Sequence, residues 1–76
     1  MPIGYVLLNT ETAHMESVLK ALKKIDAVKE AYMLYGVYDI IVEVETDNME
    51  RLKEVVTYHI RRLDKVRSTL TLIVME

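Results

Sequence analysis

The chain contains no cysteine, no tryptophan, no phenylalanine and no glutamine, with only two glycines and a single proline. Without cysteine there is no disulfide, no thiolate metal site and no cysteine nucleophile. Two glycines cannot build a glycine-rich phosphate cradle. Neither charge dominates: Lys+Arg is 10, Asp+Glu is 12, the net charge is -2 and the pI is near 5.7. That is not the basic footprint of a nucleic-acid binder. No apolar run approaches the roughly 20 residues that a membrane helix needs. Met1-Pro2 leads straight into a β-like run, without the charged and apolar regions of a signal peptide. The expectation is a soluble, cytoplasmic protein. Scarce amide side chains beside 29% charged residues point to a thermophile source.

What is present is apolar and short. The chain has 76 residues, of which 51% are hydrophobic. That is too apolar for a disordered segment and fits one domain spanning residues 1–76. A core of this size rarely stabilises a fold alone, and with disulfides excluded the expected support is oligomerisation.

An internal repeat organises the chain. Lys23-Lys24-Ile25-Asp26-Ala27-Val28-Lys29 reads basic, basic, apolar, Asp, x, Val, basic, and Arg61-Arg62-Leu63-Asp64-Lys65-Val66-Arg67 reads the same way. The offset is 38, half the chain length of 76. Each copy reads as strand, helix, strand. Ile3 to Asn9 is a strand, and Thr10-Glu11-Thr12 breaks it and offers an N-cap hydroxyl. Met15, Val18, Leu19, Leu22 and Ile25 follow helical spacing, and Asp26-Ala27 makes the exit. Val28 to Tyr35 is a second strand, ending in a Gly36-Val37-Tyr38-Asp39 turn. The second copy opens with the strand Ile40 to Glu45. Asp47 and Glu50 have capping-box spacing, Met49, Leu52, Val55, Val56, Ile60 and Leu63 mark the next helix, and Ser68 to Met75 forms the last strand. Right-handed crossovers interleave the two halves into a four-stranded antiparallel sheet with both helices on one face. The expected fold is α+β: the ferredoxin-like βαββαβ sandwich.

The other face of that sheet does not alternate as a solvated face should. Ile3, Tyr5 and Leu7 oppose Val6 and Leu8, and Leu70, Leu72 and Val74 oppose Thr69, Thr71, Ile73 and Met75. A bare apolar face is a sticky patch, so the expectation is a dimer formed by face-to-face sheet packing.

Enzymatic signals are missing. His14 and His59 lack partners at zinc-like spacing, no Ser/His/Asp pattern is present, and Asp26 and Asp64 sit in helix-exit turns. No metal, no cofactor and no catalytic residue is expected. The fold hosts many functions, and several fail on residues. A copper chaperone needs Cys-x-x-Cys. An RNA-recognition sheet needs aromatics on its central strands, whereas Ile40 to Glu45 is acidic and has none. An acylphosphatase-like site wants an Arg in the first loop, and the first Arg here is Arg51.

One stretch carries chemistry. In Tyr35-Gly36-Val37-Tyr38-Asp39, Gly36 permits positive φ and close ligand approach, Tyr38 offers a ring with a polar tip, and Asp39 is a carboxylate able to hold an ammonium group. Ser68, Thr69 and Thr71 supply hydroxyls suited to a carboxylate. Together these are what an α-amino acid requires, although each is also an ordinary hairpin or strand residue.

The sequence resembles the effector-binding domain of the Lrp/AsnC family of transcription regulators, the RAM domain. The likeness lies in Gly4-Tyr5-Val6-Leu7, Val28-Lys29-Glu30-Ala31-Tyr32, Tyr35-Gly36-Val37-Tyr38-Asp39-Ile40, and the strand from Val66 to Val74. The resemblance implies a βαββαβ domain that dimerises through its sheets and joins into rings, commonly octamers. It also implies a small amino acid bound between subunits, with Gly36, Tyr38 and Asp39 as contacts, Leu34 as a wall, and Ser68, Thr69 and Thr71 contributing from the last strand. Family members carry an N-terminal helix-turn-helix domain, and this sequence resembles those without one. It is therefore expected to act in regulation without touching DNA itself, either sensing an amino acid or co-assembling with full-length Lrp/AsnC regulators.

Overall fold

A computed structural model describes residues 1–75. The elements run β1 (Ile3–Thr10), α1 (Met15–Lys23), β2 (Val28–Met33), β3 (Ile40–Glu45), α2 (Met49–Glu54) continuing as a π-helical stretch (Val55–Ile60), and β4 (Val66–Ile73). The strands form one antiparallel sheet in the order β2-β3-β1-β4. This is the ferredoxin-like arrangement, with each half contributing one central and one edge strand.

The core follows from period-two alternation in the strands. Val6 and Leu8 of β1 and Ile40, Val42 and Val44 of β3 are buried side by side. They pack with Val18 and Leu22 of α1, Leu52 of α2, and Val55, Val56 and Ile60 of the π stretch in one cluster. Met15, Leu19 and Ile25 pack at its margin, as their helical spacing predicts.

The repeat is realised in the backbone. Val28 N–H donates to Ile25 C=O at 3.0 Å, and Val66 N–H donates to Leu63 C=O at 3.3 Å. Ile25 N–H reaches Leu22 C=O and Leu63 N–H reaches Ile60 C=O, both at 3.1 Å. The copies differ inside the second helix. α1 begins at Met15 and α2 at Met49, an offset of 34, while the exit turns stand 38 apart. The second helix is the longer of the two, and its last part is π-wound: Arg61 N–H donates five residues back to Val56 C=O at 3.0 Å.

Several boundaries differ from those the sequence suggested. The α1 cap position is His14, with no side-chain cap bond, so the Thr10–Thr12 hydroxyls do not cap it. The α2 cap is Asn48 and not Asp47: the Asn48 side-chain oxygen accepts from Arg51 N–H at 2.7 Å. β2 stops at Met33, because Leu34 N–H turns to Asp39 C=O and closes the loop. β1 runs one residue further, to Thr10, and β4 is Val66–Ile73. Neither glycine has positive φ, so Gly36 does not supply the left-handed turn residue.

The face away from the helices carries Ile3, Tyr5 and Leu7 of β1, Ile41 of β3, Tyr32 of β2, and Leu70 and Leu72 of β4. Tyr32 is 57%, Leu70 43% and Leu72 49% exposed, an apolar surface with nothing on it in the single chain. Glu30 and Glu43 sit opposite each other on the same face, and the Tyr32 hydroxyl donates to Glu30. That bond holds the Tyr32 phenol above the ordinary tyrosine range, helped by the charge of Glu30, by some desolvation and by the charge of Glu43. No helix among the described residues is long and apolar enough to cross a membrane.

Candidate functional site

The end of the sheet where β1 runs out collects the polar chemistry. Asp39 stands just before β3, and its N–H donates to Leu8 C=O at 3.0 Å, extending the β1–β3 ladder by one bond. Its side chain does what the next backbone pair would have done: Oδ2 accepts from Thr10 N–H at 2.9 Å. Thr10 is only 6% exposed, so this carboxylate satisfies a buried donor. Asp39 thus ties the 34–39 loop to β1. Its other carboxylate oxygen makes no hydrogen bond among the described residues.

Beside it opens a cleft of about 500 Å³ lined by Asn9, Thr10, Thr12, Val37, Asp39, Arg67 and Ser68. The lining is polar apart from Val37. Asn9 Nδ2 lies 3.4 Å from Ser68 Oγ, a long hydrogen bond. Arg67 and Asp39 share the cleft without pairing, since the sole ion pair among the described residues joins Arg51 to Glu54.

The site residues suggested by the sequence fall into three places. Asp39 and Ser68 line the cleft together. Leu34, Gly36 and Tyr38 belong to the adjoining loop and are not part of the cleft wall. A Cβ on Gly36 would meet nothing within 4 Å, so the isolated fold sets no demand for glycine there. Tyr38 is half-buried, whereas Tyr35 and Val37 project almost wholly into solvent. Thr69 and Thr71 pair with Leu8 and Val6 and so lie on the helix face, the opposite face from Ser68. Thr71 lines a separate cleft of about 280 Å³ with Lys53, Val56, Thr57 and Ile73. The three hydroxyls therefore do not converge. Asn9, Thr12 and Arg67 were missed. The signal that would have found Arg67 is a slip in the β1–β4 register, which sequence alternation does not reveal.

Among the described residues no three His, Cys, Asp or Glu side chains come together as a metal site would need. His59 is exposed on the π stretch, and Arg62 stacks over the neighbouring Tyr58 ring, 4.8 Å from its centroid.

The sequence model of the Lrp/AsnC ligand binding domain matches residues 4–76. The chain belongs to the Lrp/AsnC family. The regulatory protein AsnC of Haemophilus influenzae is 36% identical over 74 residues, covering 97% of this chain and 48% of that protein. The solved structure of FFRP-DM1 is 36% identical, covers 99% of this chain and 100% of its own, and superposes with a TM-score of 0.95. The structure of Escherichia coli AsnC is 30% identical, with a TM-score of 0.89 over 99% of this chain and 51% of that one. The chain thus spans about half the length of the AsnC regulators that it matches. The AsnC relatives are regulatory proteins, and the part of the Lrp/AsnC family that this chain matches is the ligand binding domain.

Proposed function

We propose that this chain is an amino-acid sensor that assembles through its open sheet face and binds a small amino acid between subunits. It acts in transcriptional regulation of amino-acid metabolism without contacting DNA itself. The observation that carries this reading is Asp39: a carboxylate with one oxygen anchored to Thr10 and the other open to a polar cleft of about 500 Å³. Such a group accepts an ammonium without having to be ordered first. Exposed Tyr35 and Val37 beside the cleft support a site completed by a second subunit, as apolar loop tips at a protein surface commonly mark interfaces. The acidic pI near 5.7 supports the absence of a DNA contact.

A second reading draws on the same bond. A carboxylate already engaged in folding needs no ligand, and the domain then works by assembly alone, co-oligomerising with full-length Lrp/AsnC regulators. The experiment that separates the two is unfolding in denaturant against all twenty amino acids, with the assembly state followed by sedimentation. A ligand that binds only the folded state adds about 2.7 kcal/mol at a hundredfold excess over its Kd. A selective hit establishes the sensor. A flat panel with the oligomer intact establishes the assembly module. Leu7→Glu on the open face dissociates the oligomer and leaves a folded monomer, and an unchanged sedimentation profile would refute assembly through that face.

A further inference from the structure

The β1–β4 ladder slips next to the place where Asp39 is anchored. Asn9 faces Ser68, but Thr10 faces Val66, so Arg67 has no partner across the ladder. An extra residue in one strand bends it and re-aims the side chain it carries. From this bulge Arg67 lines the Asp39 cleft. An anion and a cation therefore share one cleft and do not neutralise each other, because no Arg67 nitrogen lies within 4.0 Å of a carboxylate oxygen among the described residues. Held apart, they present two poles: a carboxylate for an ammonium group, and a planar guanidinium fork whose geometry matches a carboxylate.

We propose that Arg67 holds the carboxylate of an α-amino acid whose ammonium goes to Asp39, and that this cleft selects small amino acids with polar side chains. The proposal rests on the sensor reading above and names the ligand class of that site. The selectivity follows from the lining. Asn9, Thr12 and Ser68 offer hydrogen-bonding groups, and Val37 is the single apolar contributor. An aliphatic or aromatic side chain placed there strips water from these groups and returns no hydrogen bond, and sites built to hydrogen-bond discriminate strongly on that basis. The 3.4 Å contact between Asn9 and Ser68 is weak enough for a ligand hydroxyl or amide to replace it.

The test is calorimetric titration of the assembled protein with acid and carboxamide pairs: L-serine and L-serinamide, L-asparagine and L-aspartic diamide, L-leucine and L-leucinamide. In the wild type L-serine or L-asparagine binds at least tenfold tighter than L-leucine. Each acid binds about ten- to a hundredfold tighter than its carboxamide, the range for a charge-assisted bond. Arg67→Gln closes the acid–carboxamide gap, and Arg67→Lys restores part of it. Arg67 is exposed and makes no side-chain hydrogen bond among the described residues, so these variants keep the fold. A merely structural role would weaken acid and carboxamide alike and leave their ratio unchanged. An Arg67→Gln protein that still prefers the acid overturns the assignment of Arg67 while the sensor reading stands. Tightest binding by L-leucine overturns the polar selectivity alone. A wild type that binds none of the six compounds overturns both.

Discussion

Replacing Asp39 in two ways separates its role in the fold from its role in binding. Asp39→Ala leaves the Thr10 N–H without its acceptor in a residue that is 6% exposed. An unpaired buried donor costs about 1–3 kcal/mol. Asp39→Asn keeps an oxygen where Oδ2 stands and loses only the charge assistance, about 0.5–1 kcal/mol. In a domain of this size 1 kcal/mol moves Tm by about 4–8 °C, so the alanine variant melts roughly 5–20 °C lower and the asparagine variant only a few degrees lower. Urea unfolding at fixed protomer concentration measures the difference, because assembly makes apparent stability concentration-dependent. The slope of free energy against urea stays constant if only the native state is affected. Both variants lose the negative pole, so both lose amino-acid binding by about tenfold or more. If the two variants unfold at the same midpoint, or the alanine variant unfolds with the wild type, the Thr10 bond carries no stability and the reasoning fails.

Two further outcomes test the fold itself. Asn48→Ala costs about 1 kcal/mol through loss of the α2 cap, while Asp47→Ala stays within about 0.5 kcal/mol; urea midpoints that reverse this order move the cap back to Asp47. Tyr32 holds its proton more tightly in the folded chain than the ordinary tyrosine pKa of 10.0 allows, chiefly through its bond to Glu30. The stability this contributes is present below that unfolded value and is lost as pH rises through the higher folded one. Glu30→Gln brings the Tyr32 phenol down toward the ordinary range in an ultraviolet titration and reduces the alkaline loss of stability. No shift would remove Glu30 as the cause.

The architecture was legible because the strongest signals in this sequence are periodic. The Lys23–Lys29 and Arg61–Arg67 match predicted two equivalent halves, and the exit turns at Ile25–Val28 and Leu63–Val66 share one hydrogen-bond pattern. The apolar faces of β1 and β3 came from plain alternation. What stayed hidden was anything decided by one residue of slippage. Leu52, Val55, Val56 and Ile60 are as buried as an α-helical stripe would make them, so periodicity does not report the π winding. Asp47 and Asn48 are both good caps, and backbone geometry chose the second. At the candidate site, chemistry and turn position left Asp39 open to an ordinary hairpin role, and the family resemblance singled it out. Arg67 was not singled out, because the bulge that aims it comes from the pairing of β1 with β4, residues far apart in the chain.

The pairing of β1 with β4 also fixes where the described ends of the chain emerge. Gly4 faces Ile73, Val74 N–H donates to Ile3 C=O at 2.9 Å, and Met1, Pro2 and Met75 line one shallow hollow with Ile3 and Val74. Both ends therefore leave from a single corner, at the opposite end of β1 from the Asp39 cleft. A few flexible residues suffice to join them, since closing a short gap costs little chain entropy. The fold accordingly admits circular permutation, with new ends opened in the exposed loop between Leu34 and Asp39 and the two βαβ halves exchanged in order. Without permutation, cargo fused beside Met1 lies next to cargo fused beside Met75, and both are clear of the cleft.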